Sequence, residues 1–196
     1  MSTLSSIVLS AVLSVVKGPA STDTARLTSI ANDISAVVSA RDAEVFTGEG
    51  GDVALALMLV ALAKHESEFL ESVDSCTRRG DVGRSITLFQ ILRGPNWAGH
   101  TASEICGDRK LAVKLTVRLL ARPLAAGGKL TPQGIVNAYA TGSPGKQNTA
   151  SNDICVIWEQ LSMRAGLKGA VCGAIRSYAA PVPSGSGGTR PVDDKR

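Results

Sequence analysis

The stretch "VALALMLVALA", residues 53–63, contains no polar side chain. A helix that is apolar on every face has no side to show to water, so it must be enclosed by other elements. The run is also far shorter than the roughly 20 residues a membrane span requires. The chain therefore has to build a core around this segment. Charge returns abruptly at Lys64-His65-Glu66-Ser67-Glu68, so the end of the helix must emerge where core meets solvent, a natural place for a cleft. The spacing predicts a helix from Val53 to about Phe69, capped by Asp52.

The rest of the sequence supplies helical partners. With 196 residues, 44% hydrophobic and 19% charged, the chain can bury a sizeable core. Only 4% is aromatic, so that core must be Leu, Val, Ile and Ala packed between helices. Leu27, Ile30, Ile34, Val37 and Val38 recur at helical spacing over 22–40, behind the capping candidates Thr22 and Asp23. Residues 70–100 lack long periodicity and hold Gly80, Gly83, Gly94, Pro95 and Gly99: a loop-rich lobe with room for a short β-hairpin. Thr101-Ala-Ser-Glu104 is a capping-box pattern. Leu111, Leu115, Arg118, Leu119 and Arg122 predict a longer helix after it. Thr131-Pro132 reads as a cap with proline at the first helical position, and a last helix is expected over Asp153–Ala165. From about residue 179 the sequence has the composition of a disordered tail. The reading is mainly α: N-terminal helices (1–45) packed on a core domain (46–178), then the tail (179–196). No internal repeat is visible.

A net charge of +4 and a pI near 9.0 favour an anionic partner. No Lys/Arg block with interleaved aromatics marks a nucleic-acid groove, and nucleic acid is not expected. Cysteines 76, 106, 155 and 172 lack the C-x-x-C spacing of zinc ribbons. Three disulfide connectivities are open, as is a set of four buried thiols. Our reading pairs Cys76 with Cys106 and Cys155 with Cys172. The first bridge would close a loop of about 30 residues and contribute roughly 3 to 4 kcal/mol in the chain-entropy model. Such pairs imply a location outside a reducing cytosol. "SIVLSAVLSVV" near the start has no basic residue before it, so it reads as an amphipathic or buried first helix rather than a signal peptide. No membrane span is expected.

Several chemistries are excluded by spacing. "HESEF" has Phe69 where a zinc protease needs its second histidine, and "ATGSPGKQ" has Ala140 and Gln147 where a phosphate loop needs glycine and a hydroxyl. With only His65 and His100 available and no nucleophile-elbow sequence, a Ser-His-Asp triad is hard to assemble. Glu66 is different. It follows Leu62 by one turn and Leu59 by two, which puts its carboxyl beside an apolar stripe at the negative end of a helix dipole. Both influences disfavour the ionised form, as a general acid requires. Glu68 and Glu71 fall on other faces and read as solvated charge.

The segments "ALAKHESEF", "GDVGRSITLFQI" and "NAYATG" resemble, in order and spacing, the lysozyme-like fold of lytic transglycosylases and goose-type lysozymes, especially variants found in phage particles. That pattern is a helix ending in Glu-Ser, a Gly-rich turn leading to a Gly-Leu-Met-Gln type segment, and a later Ala-Tyr-Asn-Ala-Gly type segment. It covers about residues 50–145. The resemblance implies cleavage of the β-1,4 bond between N-acetylmuramic acid and N-acetylglucosamine in peptidoglycan, with no metal or organic cofactor. It implies Glu66 as the general acid, Ser67 as its neighbour in the cleft, Gln90 as a hydrogen-bonding partner of sugar substituents, and Tyr139 across the cleft, orienting Glu66. Phage particle proteins are further possible partners. Thr87 departs from the pattern: a β-branched residue stands where the family usually has glycine, at a place where the backbone approaches the sugar or adopts positive φ. Ala140 replaces the asparagine of the last segment.

Hydrolysis with inversion needs a second carboxylate to activate water. Asp81 stands where goose-type lysozymes carry an acidic residue; its alternative role is to cap the Gly-rich turn. In that case Glu66 works alone and the sugar's own 6-hydroxyl attacks, giving an anhydro product. Two other classes remain open at this level: a non-catalytic relative serving as a glycan-binding or virion structural module, and a helical protein whose basic surface binds anionic polymer.

Overall fold

A computed structural model describes residues 3–40, 45–47, 50–125, 130–167 and 170–173. Among them are eight α-helices and a two-stranded antiparallel sheet, the mainly helical architecture expected. The tail assigned to 179–196 lies outside the described residues. No described helix is long and apolar enough to cross a membrane.

The apolar run becomes α3 (Gly51–Ser67), in which every residue from Ala54 to Ala63 is buried. Around it pack α1 (Thr3–Val15), α2 (Thr24–Ser39) and α8 (Thr149–Arg164). α1 is amphipathic, burying Ser5, Val8, Ala11 and Val12. α2 buries the expected Leu27, Ile30, Ile34, Val37 and Val38, and its cap is Asp23, whose carboxylate accepts from the Arg26 N–H at 3.0 Å. From α8, the fully buried Trp158 donates its indole N–H to the Ala54 carbonyl at 2.9 Å and stacks on Phe46 with ring centroids 5.7 Å apart. This contact fixes the start of α3. A Cβ on Gly51 would sit 2.4 Å from the Phe46 carbonyl oxygen, so only glycine fits there.

Two details of the sequence reading need correction. Asp52 does not cap α3: Gly50 is the cap residue, in a left-handed conformation with no side-chain bond, and Asp52 sits in the first turn, where its charge favours the helix dipole. The helix also ends at Ser67 rather than Phe69, because Glu68 and Phe69 both turn left-handed, at φ 52° and 59°. In the helix Arg109–Ala121 (α6) the buried face is Ala112, Val113, Leu115, Thr116, Val117 and Leu120, while Arg118 is exposed. Both α2 and α7 (Pro132–Thr141) pack against it.

The remaining boundaries follow local chemistry. Thr101 and Glu104 form the complete capping box at the head of α5 (Ala102–Gly107). Thr131 accepts from Gly134 N–H at the start of α7. α8 begins at Thr149, earlier than expected, since Asn148 and Ser151 cap one another reciprocally. In the loop-rich lobe a short helix, α4 (Glu71–Asp74), precedes a hairpin of β1 (Ser85–Ile86) and β2 (Ile91–Leu92), in register Ser85↔Leu92 and Ile86↔Ile91. Both disulfides pair as expected: Cys76 with Cys106, Cα atoms 5.9 Å apart, and Cys155 with Cys172, at 5.7 Å. The first ties the lobe to α5; the second ties the segment after α8 back onto α8.

Candidate functional site around Glu66

Glu66 lies one residue before the end of α3, half-buried. Its carboxyl is pushed from 4.5 to about 7, first by burial and second by the charge of Asp81. Both causes act against the anion, since an ionised carboxylate loses hydration in the apolar stripe and faces a second negative group. No hydrogen bond from the described residues offsets them. The carboxyl therefore carries a proton through most of the acid range and has it available to give away near neutrality.

The end of α3 is held rigidly from below. Asp74, on α4, accepts two bonds from Arg109, at 3.0 and 2.8 Å, and one from Arg26 at 3.4 Å. Arg109 also reaches Asp33 at 2.8 Å and Ser29 at 3.0 Å, while Arg26 donates to the Phe69 carbonyl at 2.8 Å. This clasp joins α2, α4 and α6 to the turn that follows Glu66. A cavity of about 530 Å³ lies over the clasp, lined by Arg26, Asp33, Asp74, Arg109 and the Thr87–Phe89 segment; Glu66, Gln90 and Tyr139 are not part of its wall.

Tyr139 approaches Glu66 from α7. Its hydroxyl donates a hydrogen bond to the Phe89 carbonyl. Burial and, second, the Glu66 carboxylate push the phenol well above its usual range, so it remains a neutral donor. Asp81 approaches from the Gly-rich turn, where its carboxylate accepts from the Ser85 hydroxyl at 2.6 Å. Glu66 thus interacts electrostatically with both Asp81 and Tyr139, although 73 positions separate it from the latter in the chain.

Two further residues named from sequence are engaged internally. Ser67 is buried; its hydroxyl donates to the Ala63 carbonyl at 2.7 Å and accepts from Phe69 N–H at 3.3 Å, closing the last helical turn. Gln90 donates its amide to the Thr87 carbonyl at 3.1 Å. Its Oε1 lies against Gly80, where a Cβ would come within 2.0 Å of it. Gln90 therefore packs the Thr87–Gln90 turn onto the residue that precedes Asp81. Thr87 itself has φ 68°, is buried, and finds no hydrogen-bond partner for its hydroxyl among the described residues. That is a costly conformation for a β-branched residue.

Ser85 is the residue that sequence reading missed. A lone serine in a short strand carries no signal by itself, and the capping relation to Asp81, four residues earlier, emerges only when the loop closes. Among the described residues no group of His, Cys, Asp and Glu is arranged to hold a metal ion. Set against models of protein families, curated proteins and solved structures, the chain matches none of them.

Proposed function

We propose that this protein is a peptidoglycan-cleaving glycosidase, a muramidase or lytic transglycosylase acting on the β-1,4 bond between N-acetylmuramic acid and N-acetylglucosamine, with Glu66 as general acid. One observation carries the reading: a half-buried carboxyl at a helix end, pushed to about 7, beside a second carboxylate and a half-buried tyrosine. Glu66 gives its proton to the glycosidic oxygen as the C1–O bond breaks, and the electron pair leaves with that oxygen. In the hydrolytic branch, Asp81 takes a proton from water while the water oxygen bonds to C1. In the intramolecular branch, the sugar's 6-hydroxyl bonds to C1 and its proton passes to the Glu66 carboxylate. Both branches balance without a cofactor.

The two disulfides and the basic charge fit work outside a reducing cytosol on an anionic wall polymer, either as a secreted or periplasmic protein or as part of a phage particle. One observation favours a second reading, a non-catalytic glycan-binding or virion module. The side chains of Ser67 and Gln90, both named as sugar contacts, are committed to internal bonds. Turbidity clearing of purified cell walls by wild type and Glu66→Gln separates the two. An enzyme clears walls and loses clearing in the variant, while wall pull-down survives; pull-down without clearing by the wild type supports the binding module.

A further inference from the structure

Asp81 lies in a loop whose ends are locked and whose middle is strained. Gly80 and Ser85 exchange both backbone bonds, N–H to O at 3.0 Å and 3.1 Å. Between them Asp81, Val82 and Gly83 are consecutively left-handed, at φ 46°, 56° and 86°. Val82 is fully exposed, a β-branched apolar residue in a conformation that costs roughly 1 to 3 kcal/mol. Asp81, Gly83 and Arg84 are exposed as well. Such a loop gives an aspartate no reason to hold one rotamer. Ser85 does: it is 2% exposed, sits in β1 opposite Leu92, and its hydroxyl is the one side-chain donor among the described residues that reaches the Asp81 carboxylate. A buried, strand-fixed donor thus tethers an exposed acceptor through a charge-assisted bond.

We propose that Ser85 is a positioning residue for Asp81: its hydroxyl holds that carboxylate on the Glu66 side of the loop, and thereby sets the share of cleavages completed by water rather than by the sugar's 6-hydroxyl. This rests on the glycosidase reading. A base acts on water only from a fixed place within hydrogen-bond reach, and an untethered aspartate on an exposed loop spends much of its time elsewhere. The tether also acts on Glu66, because the Asp81 charge is the second of the two causes that raise its carboxyl. Tyr139, on α7, also feels Glu66, and its hydroxyl is bonded to the Phe89 carbonyl.

The test compares wild type, Ser85→Ala and Asp81→Asn in two measurements: the midpoint of the Glu66 carboxyl, read by carbon NMR titration, and the ratio of anhydro to hydrated muropeptides, read by mass. In Ser85→Ala the midpoint is expected to fall part of the way toward that of Asp81→Asn, and the anhydro share to rise several-fold. If alanine at this buried position prevents folding, Asp81→Glu, which keeps the charge but breaks the 2.6 Å geometry, carries the same expectation for the product ratio. A midpoint and a ratio both equal to wild type overturn the proposal. A wild type that makes only anhydro product also overturns it and leaves the glycosidase reading standing. A wild type that leaves murein intact overturns the glycosidase reading and the product claim together, while the titration still reports whether the tether holds.

Discussion

Replacing Glu66 with Gln should make the protein more stable at alkaline pH and leave it almost unchanged in acid. The carboxyl rises from 4.5 to about 7 on folding, so between those values the native state binds a proton that the unfolded chain has released. Stability must then fall as pH rises through that window. At 1.36 kcal/mol per pKa unit the full loss is about 3 kcal/mol, complete above about pH 8. Gln keeps the shape and has no charge to bury. The stability difference between variant and wild type should therefore be near zero at about pH 4 and grow to about 3 kcal/mol in favour of the variant by about pH 8. Urea unfolding followed by the emission of Trp97 and Trp158, both buried, measures this directly at each pH. A difference that stays flat across the range would refute the claim that Glu66 is buried at a cost.

Other substitutions test the surroundings of the site. Thr87→Gly removes a left-handed β-branched residue and a buried hydroxyl without a partner among the described residues. Relief of about 1 to 3 kcal/mol of strain exceeds the roughly 0.5 to 1 kcal/mol of added chain entropy and the lost methyl burial, so a net gain of about 1 kcal/mol is expected, read as a rise in Tm of a few degrees. Asp74→Ala leaves Arg26 and Arg109, both largely buried, without their shared carboxylate. Each keeps one partner, Asp33 for Arg109 and Asp23 for Arg26, so unfolding midpoints should drop by the equivalent of about 2 kcal/mol, the loss of charge-assisted bonds to a buried carboxylate; no change in the urea midpoint would refute the clasp. Removing the Cys76–Cys106 bridge opens a closure of 30 residues and should lower stability by roughly 3 kcal/mol, measurable by comparing a Cys76→Ala/Cys106→Ala variant with wild type in urea.

Much of this arrangement was legible in the sequence wherever the physics is local. The capping box at Thr101–Glu104 and the cap at Thr131 depend on residues three apart, and both formed as read. Glu66 could be singled out because an all-apolar helix has to be buried, which forces its charged end to the edge of the core. Interactions that join distant segments were not visible. Arg109 reaches Asp74 and Asp33 across 35 and 76 positions, and nothing in the local pattern distinguishes it from the solvated arginines nearby. The glycine-rich stretch 80–94 announced turns, but not that Gln90 would pack on Gly80 or that Ser85 would hold Asp81.

The most direct test is mass analysis of purified murein digested by wild type and by Glu66→Gln side by side. Soluble muropeptides cut between N-acetylmuramic acid and N-acetylglucosamine in the first digest, and none above background in the second, are the predicted result. Intact murein in both, or equal cleavage by the variant, would contradict the assignment of Glu66 as the acid that breaks the glycosidic bond.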